Sequence, residues 1–292
     1  GPESAAISDP NENGTRDHPF DSIQEAIEVA SHDATIQVRS GTYYESINFM
    51  GKNIHVTGID PNDAEINPYP VIDAKSGNTV VTFDKGEDAR CQLSGFTLTG
   101  GYGSQAGAIA CLGSSPTVVN CLIVGNRCEG PLGGAVYCVD SHSQFSRCTI
   151  TGNYGGEQGA GLHLIGSAVS FEYSLIVANA PFNVLYTGTY ASMDEFRLIE
   201  DREDHCPMFQ VPGYWATSSD GTVVSDPTQP RATWIHGDYH LTPEVVRWDE
   251  QALSWVLEDV TGPCVSPAYA DRGVVQMGAY GRLGVAGLSA LE

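Results

Sequence analysis

Arg147 and Tyr173 stand 26 residues apart, with Glu172 just before the tyrosine and Asp140 and His142 a few positions ahead of the arginine. An arginine that steadies a carboxylate, beside a tyrosine, histidine or glutamate that exchanges a proton, is the minimum for β-elimination or epimerisation at C5 of a uronic acid. The same residue types also occur on a solvated β face, where an Arg–Glu pair and an exposed tyrosine each contribute well under ~1 kcal/mol. Whether the five meet depends on the elements that carry them.

Those elements repeat. Residues 107–126 read GAIACLGSSPTVVNCLIVGN and residues 134–153 read GAVYCVDSHSQFSRCTITGN, aligned without a gap at an offset of 27. A third copy, GLHLIGSAVSFEYSLIVAN at 161–179, is one residue shorter, and CQLSGFTLTGG at 91–101 is an earlier, more diverged one. A period in the twenties with two or three short strand patterns per unit is the signature of stacked parallel coils, each unable to bury its apolar face alone. Equivalent side chains then form ladders at the inter-strand spacing of roughly 4.8 Å. The expected inward rows are Ile109 over Val136, Cys111 over Cys138, Cys121 over Cys148, and Ile123 over Ile150 over Ile176. Gly107, Gly134 and Gly161 should superpose, and Asn126, Asn153 and Asn179 should follow at a turn, accepting left-handed backbone and bonding one another along the stack.

The fold class is therefore all-β: a right-handed parallel β-helix with an N-terminal capping helix and an irregular C-terminal closing segment. FDSIQEAIEVA at 20–30 carries Ile23, Ala26, Ile27 and Ala30 on one face behind an Asp21 or Ser22 N-cap, as a helix covering the end of a solenoid requires. Residues 1–19 read as a tag remnant and lead-in, 20–180 as the helix-capped solenoid, 181–236 as an irregular insert and 237–292 as the closing segment of the same domain. Gly1-Pro2 and Leu291-Glu292 read as cloning scars, so a native signal peptide is expected to have been trimmed away.

Fourteen Lys plus Arg against 36 Asp plus Glu give a net charge of -22, without a basic run to neutralise phosphates, which argues against nucleic acid. The same field repels polyanions unless Arg147 or a bound cation reverses it locally, and leaves neutral glycans unaffected. No apolar run approaches the roughly 20 residues of a membrane span. The eight cysteines include no CxxC, so buried thiols are expected rather than zinc ligands or bridges, with Cys206 and Cys264 the pair to form a bridge if one exists. His163, aligned with Ile109 and Val136, is either an inward, hydrogen-bonded core histidine or a side chain exposed beside the insert.

Together FDSIQEAIEVA, GTYYESINFMGKNI, VVTFDKGE, GFTLTGG, the GAIACLGSSPTVVNCLIVGN type of coil and the tail pieces GDYHL, RWD, SWVLEDVTGPC and QMGAYG resemble the right-handed β-helix repeat proteins of planctomycetes and related bacteria. These belong to the pectate-lyase-like superfamily, and the likeness spans the chain apart from about 181–233. It implies the fold, an extracellular setting, and activities ranging from polysaccharide lyase, epimerase, glycoside hydrolase and esterase to structural adhesin shafts. It supplies no site residues, since the NTD…DD…GHG series of polygalacturonases is missing and no calcium-lyase set stands out.

From the residues themselves, Arg147, Tyr173, Glu172, His142 and Asp140 are the catalytic candidates. Tyr137, Tyr214, Trp215 and Trp234 are aromatics that could stack on sugar faces, the last three belonging equally well to lid packing. Asp201, Glu203 and Asp204 could ligate Ca²⁺, although they lack calcium-loop spacing and also read as a solvated acidic loop. The expected protein is a secreted or cell-surface monomer acting on a polysaccharide as lyase or hydrolase, the alternative being a non-catalytic glycan-binding module.

Overall fold

The computed structural model describes residues 11–58, 69–75, 77–128, 130, 133–156, 160–172, 174–177, 179–180 and 182–187, and the strands 209–211, 214–217, 232–235, 238–241, 244–249 and 254–259. Every coil visits three parallel sheets in the same order. Sheet A stacks Thr35–Gln37, His55–Thr57, Gln92–Ser94, Thr117–Val119, Gln144–Ser146 and Ser170–Glu172. Sheet B stacks Thr42–Tyr43, Val71–Asp73, Thr97–Thr99, Leu122–Val124, Thr149–Thr151 and Leu175–Val177. Sheet C stacks Ile47–Asn48, Val81–Phe83, Ala106–Leu112, Gly134–Val139, Ala160–Ile165 and Phe182–Thr187. The parallel β-solenoid thus extends beyond Pro181, where the repeat fades from the sequence.

Alternation along each short strand sends one residue set inward, and the stack turns these into continuous apolar columns. In sheet A the column is Val56, Leu93, Val118, Phe145 and Phe171, with the last two rings stacked at 5.0 Å. Sheet B contributes Ile72, Leu98, Ile123, Ile150 and Ile176. Sheet C contributes Val81, Ile109, Val136 and Leu162 beside Phe83, Cys111, Cys138 and Leu164. All of these side chains belong to one buried cluster. The ladders expected in sheets B and C are therefore present, and Cys121 and Cys148 take matching places just ahead of the register partners Leu122 and Thr149.

Two expectations slip by one residue. Gly134 pairs with Ala106 and Ala160, not with Gly107 and Gly161. A bulge between Ala106 and Ile109 takes up one residue in one coil, and the next coil is one residue shorter before its strand rather than after it. The asparagine ladder forms, but its backbone is ordinary. The left-handed residues are the preceding Gly125 and Gly152, with φ of 65° and 62°. Asn126 Nδ2 donates to Asn153 Oδ1 at 3.0 Å, Asn153 Nδ2 to Asn179 Oδ1 at 2.9 Å, and Asn179 Nδ2 to Asn183 Oδ1 at 3.1 Å.

The helix Ile23–Val29 closes the first coil. Ser22 is its N-cap, and the Glu45 carboxylate accepts from the Ile23 and Gln24 N–H groups at 2.9 Å each, placing negative charge where unsatisfied donors and the helix dipole favour it. Gln24 Oε1 in turn accepts from the Asn48 N–H at 2.7 Å, covering part of the free edge of sheet C. The six described cysteines, Cys91, Cys111, Cys121, Cys128, Cys138 and Cys148, are buried free thiols. Cys206 and Cys264 lie outside the described residues. Among the described residues no helix is long and apolar enough to cross a membrane.

Candidate functional site

Arg147 sits at the corner between Gln144–Ser146 and Thr149–Thr151, half-buried, with φ of 54°. It is not a strand residue. It shares a left-handed corner row with Gly95 and Asn120, so an arginine stands where the fold favours glycine or asparagine. Asp140 and His142 occupy the preceding corner, exposed, at the other end of Gln144–Ser146. The three-residue strand between them spans about 10 Å, so Arg147 stands at one end of it and Asp140 and His142 at the other. Asp140 is also left-handed, with φ of 49°, in a row with Gly113 and Gly166, and the His142 N–H donates to Ser115 Oγ at 2.9 Å. Register does bring Glu172 close in the backbone, because Ser146 pairs directly with Glu172 in the next coil. Tyr173 lies outside the described residues.

Tyr137 belongs to the outward row of sheet C, where its register partners are Ala110 and His163. His163 therefore sits one residue away from the inward Val136–Leu162 row, which corrects its alignment with Ile109 and Val136. It is nevertheless 1% exposed, and the Tyr137 ring meets it edge-on at 5.2 Å. Burial raises the Tyr137 phenol pKa above 10.0, and nearby Cys128 adds to the effect. With 8% of its surface exposed, Tyr137 presents an edge rather than an open stacking face.

Tyr214–Thr217 pairs antiparallel with Ala232–Ile235, placing Trp215 opposite Trp234 and Tyr214 opposite Ile235. Phe209–Val211 pairs with Asp238–Leu241, so the middle of the expected insert is knitted to the start of the expected closing segment. Asp201, Glu203 and Asp204 lie outside the described residues. Among those described, Glu12, Asp21 and Glu25 bring carboxylate oxygens within 4.8 Å of one another near the start of the helix. Burial, then Glu12, raises the Glu25 carboxyl pKa.

One arrangement escaped the sequence reading. Between sheets B and C, Tyr102 pairs with Arg127, Arg127 bridges to Tyr154, and Tyr154 bridges to Ala180. The Arg127 guanidinium carbon lies 4.6 Å from the centre of the Tyr102 ring, and Tyr102, Arg127 and Tyr154 are all half-buried. The row puts two phenol rings and a guanidinium on one flank of three successive coils, a surface suited to pyranose faces and their hydroxyl or carboxylate groups. Spacings of 25 and 27 residues, the period of the repeat itself, were the available signal. No family model, curated protein or solved structure matches the chain. The stack of coils fixes three aromatic and cationic side chains at one spacing, which suits a ligand with its own linear repeat.

Proposed function

We propose that this chain is a right-handed β-helix of the pectate-lyase-like kind, secreted or displayed at the cell surface, that holds an extracellular polysaccharide along the flank marked by Tyr102, Arg127 and Tyr154. The observation carrying this reading is the recurrence of these half-buried side chains at coil spacing. Adjacent coils lie roughly 4.8 Å apart, and extended glycans offer successive sugar faces to such a row. A screen of the purified protein against neutral and acidic polysaccharides, by affinity electrophoresis, tests it. Tyr154→Ala should weaken the best ligand about tenfold, equivalent to ~1.4 kcal/mol. Unchanged retardation of every glycan would refute the proposal.

Two forms of the reading differ in chemistry. The register of Ser146 with Glu172 favours a lyase or glycoside hydrolase with Arg147 and Glu172 on neighbouring coils. The placement of Arg147 and of Asp140 and His142 at opposite ends of Gln144–Ser146 favours a non-catalytic glycan-binding module. Absorbance at 235 nm for unsaturated uronates and a reducing-end assay on the same panel separate them.

A further inference from the structure

On the outer face of sheet A, Ser94 Oγ lies 2.9 Å from His55 Nε2 and 3.0 Å from Thr57 Oγ1. The pairing is diagonal: His55 and Thr57 alternate outward along one strand, and Ser94 is the register partner of Thr57 in the next coil. Both strands are held on both sides by parallel neighbours, so the three polar groups are fixed by backbone hydrogen bonds rather than by side-chain choice. Ser94 is 4% exposed, whereas His55 is half-buried. In the structure Ser94 Oγ donates to Thr57 Oγ1, and because a hydroxyl rotates freely the same proton can be redirected to Nε2 when substrate arrives.

We propose that Ser94 and His55 form a nucleophile–base dyad for acyl transfer, with a small uncharged ester as its substrate class. A hydroxyl oxygen within hydrogen-bond reach of an imidazole nitrogen is the geometry that activates serine. As Oγ attacks the ester carbonyl carbon, its proton passes to Nε2. The tetrahedral adduct collapses, the C–O bond to the alcohol breaks, and the leaving alkoxide takes that proton from Nε2. Water then attacks the acyl-serine with His55 again as base, releasing the carboxylic acid and restoring Ser94. Burial lowers the His55 pKa below 6.5, which keeps the ring in its neutral, proton-accepting form near pH 7. The preference for an uncharged ester follows from the surroundings: the neighbouring positions in register, Thr35, Gln92 and Thr117 in one row and Gln37, Thr57 and Val119 in the other, are all uncharged, and the net charge of -22 repels anions. This site is independent of the glycan reading, because it lies on sheet A and not on the flank between sheets B and C.

The full chain treated with a fluorophosphonate tests the proposal. Oγ attack on phosphorus with loss of fluoride should give one adduct per chain, mapped by peptide mass spectrometry to Ser94. Hydrolysis of p-nitrophenyl acetate should fall at least about a hundredfold in Ser94→Ala and in His55→Gln, the scale of general-base assistance. Ser146→Ala, in the same outward row but without a histidine beside it, should behave as wild type. No adduct at Ser94 in the folded wild-type protein would overturn the proposal whatever the variants do, as would an adduct that persists undiminished in His55→Gln.

Discussion

Replacing Asn153 by alanine tests the internal bracing of the solenoid. The side chain is 1% exposed. Its Nδ2 donates to the carbonyls of Ile123 and Thr151 and to Asn179 Oδ1 at 2.9, 3.0 and 2.9 Å, and its Oδ1 accepts from Asn126 N and Nδ2 at 3.0 Å each. Two amide protons and two lone pairs are thus engaged, each contributing about 1 kcal/mol net, and alanine also leaves the Asn126 N–H buried without that acceptor. The expected loss is about 3–5 kcal/mol. Equilibrium urea unfolding should show it as a lower midpoint with an unchanged m-value. Asn153→Asp should cost at least as much near neutral pH, because its second oxygen faces the Ile123 and Thr151 carbonyls and Asn179 Oδ1, and should recover partly as acid protonates the carboxyl. A loss below about 1 kcal/mol for alanine would refute the view that the ladder braces the coils.

The six buried thiols should resist iodoacetamide until the protein unfolds, since thiolate is the reactive form and burial pushes the Cys91 pKa up to about 12; rapid labelling of native protein at pH 8 would contradict this. Phe145→Ala, which removes a ring stacked on Phe171 and packed in the core, should cost about 3–5 kcal/mol by the same urea assay. His55 has a folded-state pKa lowered by burial, so below about pH 6.5 the unfolded chain takes up the proton more readily and stability falls as pH drops. The wild type should therefore lose more of its Tm between pH 7.5 and 5.5 than His55→Gln does, and parallel curves would show that His55 does not contribute.

The coils from Cys91 onward were legible because their spacing is nearly constant: 25 residues from Gln92 to Thr117, 27 to Gln144 and 26 to Ser170. Ladders of isoleucine, cysteine and asparagine follow directly from such spacing. The misplacement of His163 came from the same source, since a one-residue change in period reverses which face a side chain takes. The Ser94–His55 contact was invisible because 39 residues separate the two, across a circuit of 37 residues where the later described circuits of sheet A take 25 to 27. The place of Arg147 was not legible either, because a left-handed corner cannot be read from an arginine.

The uneven coil lengths also bear on how this architecture can grow. From Thr35 to His55 one circuit takes 20 residues, and from His55 to Gln92 it takes 37, yet both end in register. Rung position is thus decoupled from circuit length, and the largest share of the added chain in the longer circuit falls between Thr57 and Val71. A foreign peptide spliced at that corner would cost mainly loop-closure entropy, about 0.6 kcal/mol for each doubling of loop length. A single residue spliced just before Val136 would instead need a bulge like that between Ala106 and Ile109 to keep Val136 and Cys138 in the core. The same molecule is thus permissive as a display frame at its corners, whereas along its walls each added residue needs a bulge of its own.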